Sequence, residues 1–266
     1  MFRNKNHQKN KCKRWLHHCF VIFIICLVPT SCSNENAPDC LQTSGEIIRE
    51  EVEVPEFDKI TVFEKIALVL KQGDTQKVEV ATGENLWEEI SVAVEGDRLI
   101  LRNENGCNFF REYGLTTVYV TSPNISEIRS STGLAITSDG VLSYPTLTLL
   151  SESFLVSEAE TTDGEFDLNL NTGNLSIVVN GIAYFTLRGN TQNLNVNIAA
   201  GDSRVEAQAL VSQNVSINHR GSNDILVNPQ ESISGVIRGY GDVISYNRPN
   251  TVDVSVIFNG RLVFRD

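Results

Sequence analysis

The sequence predicts an all-β protein, a parallel β-helix or solenoid with coils of about 20 residues, preceded by a part rich in strands and hairpins. Three observations support this fold class. Apolar and polar residues alternate with a period of two from Ile48 onwards, as in strands with one buried face. No window of about 12 residues carries the apolar stripe of an amphipathic helix. Glycines recur every 20 residues in the second half of the chain.

The first half of the chain shows short alternating runs and one clear hairpin signal. Residues 90–103, ISVAVEGDRLILRN, place two alternating runs on either side of Gly96 and Asp97, a typical two-residue hairpin turn. A single helical turn is expected at Leu86–Glu89 just before this hairpin. Further strands are expected wherever apolar residues alternate, around residues 52–54, 60–62, 68–70, 78–80 and 118–120.

The second half carries a repeat with one glycine per coil. Gly181, Gly201, Gly221 and Gly241 are each 20 residues apart, and we expect them at solenoid corners, where glycine tolerates a positive φ. The fourth and sixth residues after the first three glycines are apolar, so we predict a shared core of Phe185, Leu187, Val205, Ala207, Ile225 and Val227. A β-sandwich with regular turns is the competing topology, and the fixed glycine spacing favours the solenoid.

Asparagine is frequent at the outward positions of this repeat. Asn193, Asn195 and Asn197 alternate with apolar residues, so their side chains are expected on the solvent side of one strand. Stacked asparagine side chains can form hydrogen bonds along a ladder of parallel strands.

The N-terminal residues have the features of an export signal. Six basic residues precede an apolar stretch over residues 15–28, which is shorter than the roughly 20 residues of a membrane-spanning helix. Ser31 and Cys32 follow and resemble the lipobox of bacterial lipoproteins, which implies cleavage before Cys32 and lipid on its thiol. An ordinary signal peptide cleaved nearby is the alternative.

This interpretation divides the chain into three parts. Residues 1–31 are the signal peptide, residues 32–46 are the lipidated cysteine and a polar tether, and residues 47–266 are one β-solenoid domain. The rest of the chain has no other long apolar segment, so the lipid is expected to hold the domain at the cell envelope, on either face of the outer membrane.

The charge of the exported part limits its partners. Removing residues 1–31 takes away six of the 22 basic residues and none of the 33 acidic ones, which leaves a formal net charge of −17. A field of this sign repels nucleic acid, which is bound through clustered lysine and arginine. We therefore expect no nucleic-acid partner.

Two cysteines remain after the signal and the lipid-carrying residue are set aside. Cys40 and Cys107 form an even pair in an exported chain, which favours a disulfide bond. Two unpaired buried thiols are the alternative.

Residues that could carry chemistry are few. Beyond the signal, His219 is the one histidine, and its polar surroundings NHRGSND predict a solvated corner rather than a catalytic base. The acidic segment Asp163–Asp167 could offer oxygens to calcium, but it lacks the ligand spacing of a calcium loop, so a turn is expected there. No cofactor and no metal site are predicted.

A polysaccharide-cleaving enzyme is the alternative function, because many such enzymes are β-helices. A hydrolase of this kind needs two carboxylates within about 5–10 Å of each other around a sugar cleft. Asp202 and Asp224 follow successive corner glycines and could share one edge. Tyr184, Tyr240 and Tyr246 could line one face for sugar stacking. Solvated turn acids are the simpler explanation for the two aspartates.

The chain resembles a known domain family over residues 57–250. The matching positions are Phe57 and Ile60, the turn at residues 72–74, Asn85-Leu86, residues 96–101, Cys107-Asn108-Phe109, residues 123–128, Thr132-Gly133 and residues 239–246. These motifs are similar to those of the auto-transporter adhesin head GIN domain of Bacteroidetes. The resemblance implies a right-handed β-helical fold, export and frequent lipidation, and the family name suggests adhesion; it supplies no catalytic residue.

Taken with the residues, these observations predict a lipid-anchored binding, adhesion or scaffolding module without catalysis, whose ligand is a glycan or a protein. A hydrolase or lyase on the same scaffold and a structural lipoprotein without a soluble ligand are the other hypotheses.

Overall fold

The computed structural model describes residues 43–106, 112, 114–153 and 161–265. In this part of the chain, 17 strands join into one curled sheet with parallel and antiparallel pairs, together with a short 3-10 helix at Glu84–Glu89. The predicted all-β class is therefore confirmed. The strands are β1 (Ile47–Glu51), β2 (Lys59–Val62), β3 (Ile66–Gln72), β4 (Lys77–Gly83), β5 (Ile90–Glu95), β6 (Arg98–Asn103), β7 (Thr116–Ser122), β8 (Glu127–Ser130), β9 (Ala135–Leu142), β10 (Thr146–Ser151), β11 (Glu165–Val179), β12 (Tyr184–Ile198), β13 (Arg204–His219), β14 (Ile225–Ile237), β15 (Val243–Ser245), β16 (Thr251–Val256) and β17 (Leu262–Phe264).

The strands are arranged in two continuous ladders, which we call ladder A and ladder B. Ladder A runs β5–β6–β2–β8–β10, then through the second halves of β11 to β14, and ends at β16. Ladder B runs β1–β4–β7–β3–β9, then through the first halves of β11 to β14, and ends at β15 and β17. The four long strands thus belong to both ladders and connect them.

Antiparallel pairs are confined to the N-terminal end of both ladders. They join β1 to β4, β4 to β7 and β5 to β6, whereas every other pair is parallel. The predicted hairpin is the β5–β6 pair, and Gly96 in its turn has a φ of +66°. The 3-10 helix Glu84–Glu89 includes the helical turn expected at Leu86–Glu89.

Side chains of successive long strands stack in register inside the sheet. Phe166, Phe185, Val205 and Ile225 are aligned through three parallel pairs, and the first two rings stack with centroids 4.8 Å apart. All six residues expected in the core are buried, with relative exposures of 0 or 1%: Phe185, Leu187, Val205, Ala207, Ile225 and Val227. Burial of each large apolar side chain contributes about 1.5–3 kcal/mol, so this column is a main source of stability.

The four glycines predicted at corners lie close to the backbone of the preceding rung, where a rung is one repeat of the stacked strands. Only Gly201 has a positive φ, +91°, so the expectation of positive φ is wrong for Gly181, Gly221 and Gly241. The close approach of the neighbouring rung explains why these positions hold glycine, because a side chain would clash with its backbone. A Cβ would lie 2.2 Å from the carbonyl oxygen of Thr162 at Gly181, and 2.0 Å from that of Asn223 at Gly241.

Three predicted features lie outside the described residues. They are the signal peptide of residues 1–31, the lipidation of Cys32, and the disulfide between Cys40 and Cys107. Within the residues that the structure does describe, no helix has the length and apolarity needed to cross a membrane.

Candidate binding face

The outward side of ladder A between β11 and β16 is a surface of mostly amide and hydroxyl groups, which we call the polar face. Its three columns follow the strand register, one residue from each strand. Among these 15 positions one residue is charged, Asp253, and two are valines. The columns are Asn174–Asn193–Asn214–Ser232–Thr251, Ser176–Asn195–Ser216–Ser234–Asp253 and Val178–Asn197–Asn218–Val236–Ser255.

Strict alternation in the sequence produces this face. In β12 the run Asn-Leu-Asn-Val-Asn-Ile turns Leu194, Val196 and Ile198 into the core, where they are at most 1% exposed, and turns the asparagines outward. The parallel neighbours repeat the pattern at a spacing of about 4.8 Å, so like side chains lie above one another.

Hydrogen bonds between the stacked side chains hold the polar face in place. Asn193 Nδ2 donates to Asn174 Oδ1 at 2.9 Å, and Asn214 Nδ2 donates to Asn193 Oδ1 at 3.2 Å. In the neighbouring columns, Asn218 Nδ2 donates to Asn197 Oδ1 at 2.8 Å. Each bridging amide uses one of its two N–H hydrogens in the ladder, so the second can be donated to a ligand.

The outward side of ladder B has a different chemistry. Arg188 lies 2.6 Å from Asp167 on the neighbouring strand, and Arg204 lies 2.7 Å from Glu206 on its own strand. These ion pairs are exposed, so they contribute little to stability, but they give this side a charged surface. The two ladders therefore present a charged side and an almost uncharged polar face.

His219 is buried, and its predicted position at a solvated corner is wrong. It stands in register between Ile198 and Ile237 in the core-facing column, and its relative exposure is 0%. Its Nδ1 accepts the Gly221 N–H at 3.3 Å, and Nε2 has no hydrogen-bond partner among the described residues. Burial lowers the pKa of His219, which keeps the imidazole neutral. A catalytic base must reach a substrate, and this buried ring cannot.

The two aspartates considered for hydrolysis are not stacked on each other. Asp202 accepts a hydrogen bond from Ser222 Oγ at 2.7 Å, one rung away. Asp224 lies 3.8 Å from the Arg204 guanidinium, and its carboxylate also accepts the Asp242 N–H at 2.9 Å. Both carboxylates thus connect loop residues of neighbouring rungs.

The three tyrosines proposed for sugar stacking have different surroundings. Tyr184 begins β12 beside Arg204, and Tyr240 packs edge-on against Phe258 with ring centroids 5.0 Å apart. The Tyr246 hydroxyl accepts a hydrogen bond from Arg265 at 3.4 Å. They share no common partner in the described part of the chain, so no aromatic platform links them.

The acidic segment Asp163–Asp167 is divided between a loop and a strand. Glu165 starts β11, and Asp167 is paired with Arg188. In the described ranges, no group of three or more histidine, cysteine or acidic side chains is placed to hold a metal ion.

Solved structures share this fold. A "putative adhesin" from Bacteroides fragilis superposes with a TM-score of 0.72 at 20% identity, over 84% of this chain and 99% of the other. A "putative lipid binding protein" from Parabacteroides distasonis gives a TM-score of 0.60 at 15% identity, over 84% and 98% of the two chains. A "putative adhesin" from Parabacteroides merdae gives 0.55 at 16% identity, over 86% and 100%. No curated protein matches the chain significantly.

Residues 56–249 match the family model described as "Putative auto-transporter adhesin, head GIN domain". This range includes the whole of β2 to β15 and most of the polar face. It also agrees with the resemblance drawn from the sequence motifs at residues 57–250. The chain therefore belongs to the auto-transporter adhesin head GIN domain family.

Proposed function

We propose that this chain is an exported, lipid-anchored binding and adhesion module of the cell envelope, located at the outer membrane and without catalytic activity. In this proposal residues 1–31 are removed, Cys32 carries the lipid, residues 32–46 form a tether, and residues 47–266 form one right-handed parallel β-solenoid. Membership of an adhesin-like family supports the location outside the cytoplasm and the binding role.

The register of the long strands supports the solenoid. Phe166, Phe185, Val205 and Ile225 are aligned at sequence spacings of 19, 20 and 20 residues, which correspond to one coil each. Stacked coils of this kind create long regular surfaces suited to extended partners.

The polar face is the observation that carries the binding role. The chain has 33 acidic residues, yet 14 of the 15 outward positions between β11 and β16 are uncharged, and most of them carry amide or hydroxyl groups. Hydrogen bonds to a ligand replace bonds to water, so the net gain per bond is small, and an array that is already ordered loses less freedom on binding. An uncharged array of donors and acceptors is therefore suited to a neutral, hydroxyl-rich partner. We therefore propose a neutral glycan as the ligand.

Binding of the purified full-length lipoprotein to immobilised neutral and acidic polysaccharides tests this proposal. Asn195→Lys and Ser216→Lys place a charge on the polar face, and Thr186→Lys places the same charge on the exposed side of ladder B as a matched control. We expect the first two variants to lose at least about tenfold in affinity for a neutral polysaccharide. Absence of binding to every neutral polysaccharide, or equal loss in the control, would contradict the proposal.

Release of reducing ends from the same polysaccharides tests the absence of catalysis. We expect none from the wild-type protein. Turnover that disappears in Asp202→Asn or Asp224→Asn would show that the hydrolase alternative is correct.

Metabolic labelling with a fatty-acid analogue tests the anchor. Label should enter the wild-type chain and the matched variant Cys40→Ser, and it should be lost in Cys32→Ser. Label retained in Cys32→Ser would overturn lipidation at that residue.

A further inference from the structure

Both ladders end at the C-terminal side of the described chain in strands that are paired on one edge only. β16 is the last strand of ladder A, and β17 is the last strand of ladder B. The free edge of each strand presents backbone N–H and C=O groups that no described strand pairs. Such an edge is a template for another strand.

The hydrophobic core is open at this end. Val252, Val254 and Val256 align with Ile233, Gly235 and Ile237, so they occupy the core-facing column. Ile233 and Ile237 are fully buried, whereas Val252 and Val256 remain 43% and 48% exposed, because no rung of the described residues covers them.

Apolar side chains next to β16 enlarge the exposed area. Ile257 and Phe258 follow the strand and are 64% and 51% exposed, and Tyr240 packs against Phe258 while remaining 65% exposed. We call β16 and these three residues the open end. A soluble protein rarely leaves an apolar cluster and a free strand edge together unless another molecule covers them.

The other end of ladder B is protected. β1 has the sequence Ile-Ile-Arg-Glu-Glu, and Arg49 pairs with Glu79 on the neighbouring strand at 3.2 Å. Charged side chains on an edge strand discourage pairing with another chain. Of these two edge strands, β16 is therefore the one suited to accept a partner.

We propose that the open end pairs with the open end of a second copy of this chain, through antiparallel association of β16 with β16 about a two-fold axis beside Val254. Antiparallel partners must carry side chains that point to the same face, so core-facing residues oppose core-facing residues. Centring the axis on Val254 places Val254 against its own copy and Val252 against Val256 of the second copy. All core-facing contacts are then between valines.

Charge and the positions of the valines favour this register over its neighbours. With the axis at Val254, Asp253 opposes Ser255 of the second copy. Moving the axis to Asp253 preserves the faces but brings the two Asp253 carboxylates together, which is destabilising for directly opposed strand residues. Moving the axis to Ser255 leaves Val252 without an opposing valine, so only the axis at Val254 pairs all three valines of the strand with valines while keeping like charges apart.

The position of the open end gives the pairing a consequence for adhesion, and this step rests on the proposed lipid anchor. The described chain begins at Thr43, whose carbonyl accepts the Asn85 amide beside β4, at the far end of ladder B. Ten strand-to-strand steps separate β1 from β17, about 48 Å at about 4.8 Å per step. β16 lies beside β14 as β15 does, so the open end is at the end of the described sheet opposite Thr43. With the proposed anchor N-terminal to Thr43, pairing would join proteins anchored on two opposing surfaces.

Self-association of the purified full-length lipoprotein in detergent tests the pairing without reference to the anchor. Sedimentation should show a concentration-dependent dimer for the wild type. Val254→Lys should raise the dissociation constant at least about tenfold, because it buries a charge without a partner. Val141→Lys is the matched control, since Val141 on β9 is 49% exposed and lies away from the open end. A monomer at all concentrations, or equal weakening by both variants, would overturn the proposal.

Cysteine crosslinking tests the register with a conservative change. Directly opposed antiparallel residues have Cα atoms about 4.5–5.5 Å apart, which allows a disulfide bond. Val254→Cys should therefore give a reducible covalent dimer in greater yield than the wild type and Thr186→Cys. A yield no higher than that of these controls would contradict the axis at Val254.

Clustering of vesicles that carry the lipoprotein separates this inference from the proposed anchor. Clustering by the wild type and not by Val254→Lys supports contact between opposing surfaces. A dimer in detergent without clustering would overturn the bridging role and leave the pairing standing. Failure of the chain to bind vesicles at all would contradict the anchor instead.

Discussion

Arg129 Nη1 lies 2.5 Å from Glu152 Oε1, and both side chains are at most 5% exposed. The same guanidinium nitrogen donates to the Glu152 carbonyl at 3.1 Å. This pair joins β8 to the residue that follows β10, so it ties together two neighbouring strands of ladder A. A buried ion pair is costly to break from one side, because the remaining charge has lost its partner.

Glu152→Gln is expected to destabilise the protein by about 3–5 kcal/mol, since Arg129 would remain charged and buried. Urea unfolding followed by circular dichroism measures the change. Asp167→Asn breaks the exposed pair with Arg188 and should cost less than about 1 kcal/mol. Equal effects of the two variants would show that burial does not govern the strength of the Arg129 pair.

Tyr144→Phe is expected to stabilise the protein by about 1 kcal/mol. The Tyr144 side chain is fully buried, and its hydroxyl has no hydrogen-bond partner among the described residues, so removing the hydroxyl relieves a desolvation cost. Tyr246→Phe is the control, because its ring is 37% exposed and should change stability by less than about 0.5 kcal/mol. Thermal unfolding compares both with the wild type.

The alkaline limit of stability should also depend on Tyr144. Burial raises its pKa to about 12 from the ordinary value of 10.0. The unfolded chain therefore loses this proton at lower pH than the folded chain, and the wild type should lose stability as the pH rises from 10 towards 12. Tyr144→Phe should show a shallower decline over that range in urea unfolding. Identical slopes for the two proteins would contradict the assignment.

The sequence predicted the stacked core but not the arrangement of the first half of the chain. Glycine spacing located the column through Phe185, Val205 and Ile225, because paired residues of neighbouring long strands lie one repeat apart in the sequence. The position of β2 between β6 and β8 could not be derived in this way. Alternation shows which side of a strand is buried, but not which strand lies beside it.

His219 shows how a local composition signal can mislead. Its polar neighbours suggested a corner, but Val215, Ile217 and His219 are alternate residues of β13, and alternate residues share a face. Extending the strand by two residues would have placed the imidazole in the core. The polar face was foreseen at Asn193, Asn195 and Asn197, whereas its almost complete lack of charge emerged only when the strand registers aligned five strands.

Stability below neutral pH should depend on His219. Burial lowers its pKa from the ordinary value of 6.5, so the unfolded chain binds a proton that the folded chain does not. Stability is therefore expected to fall as the pH drops through 6.5 and to go on falling down to the lower pKa of the folded protein. Urea unfolding between pH 7.5 and pH 5 measures this decline. His219→Leu should reduce it, and an unchanged pH dependence would show that other groups are responsible.

Glycine at position 201 is required both by its own backbone and by the rung next to it. Gly201 has a φ of +91°, and a Cβ there would lie 2.1 Å from the Gly181 carbonyl oxygen. Gly140 has a nearly identical φ of +90°, but a Cβ there would meet nothing within 4 Å. Gly140→Ala should therefore cost only the conformational penalty, about 1–2 kcal/mol. Gly201→Ala should cost at least about 1 kcal/mol more, because the two rungs must separate locally. Equal losses of stability in urea unfolding would contradict this argument, because they would show that the close approach of the Gly181 carbonyl adds nothing to the cost of a Cβ at position 201.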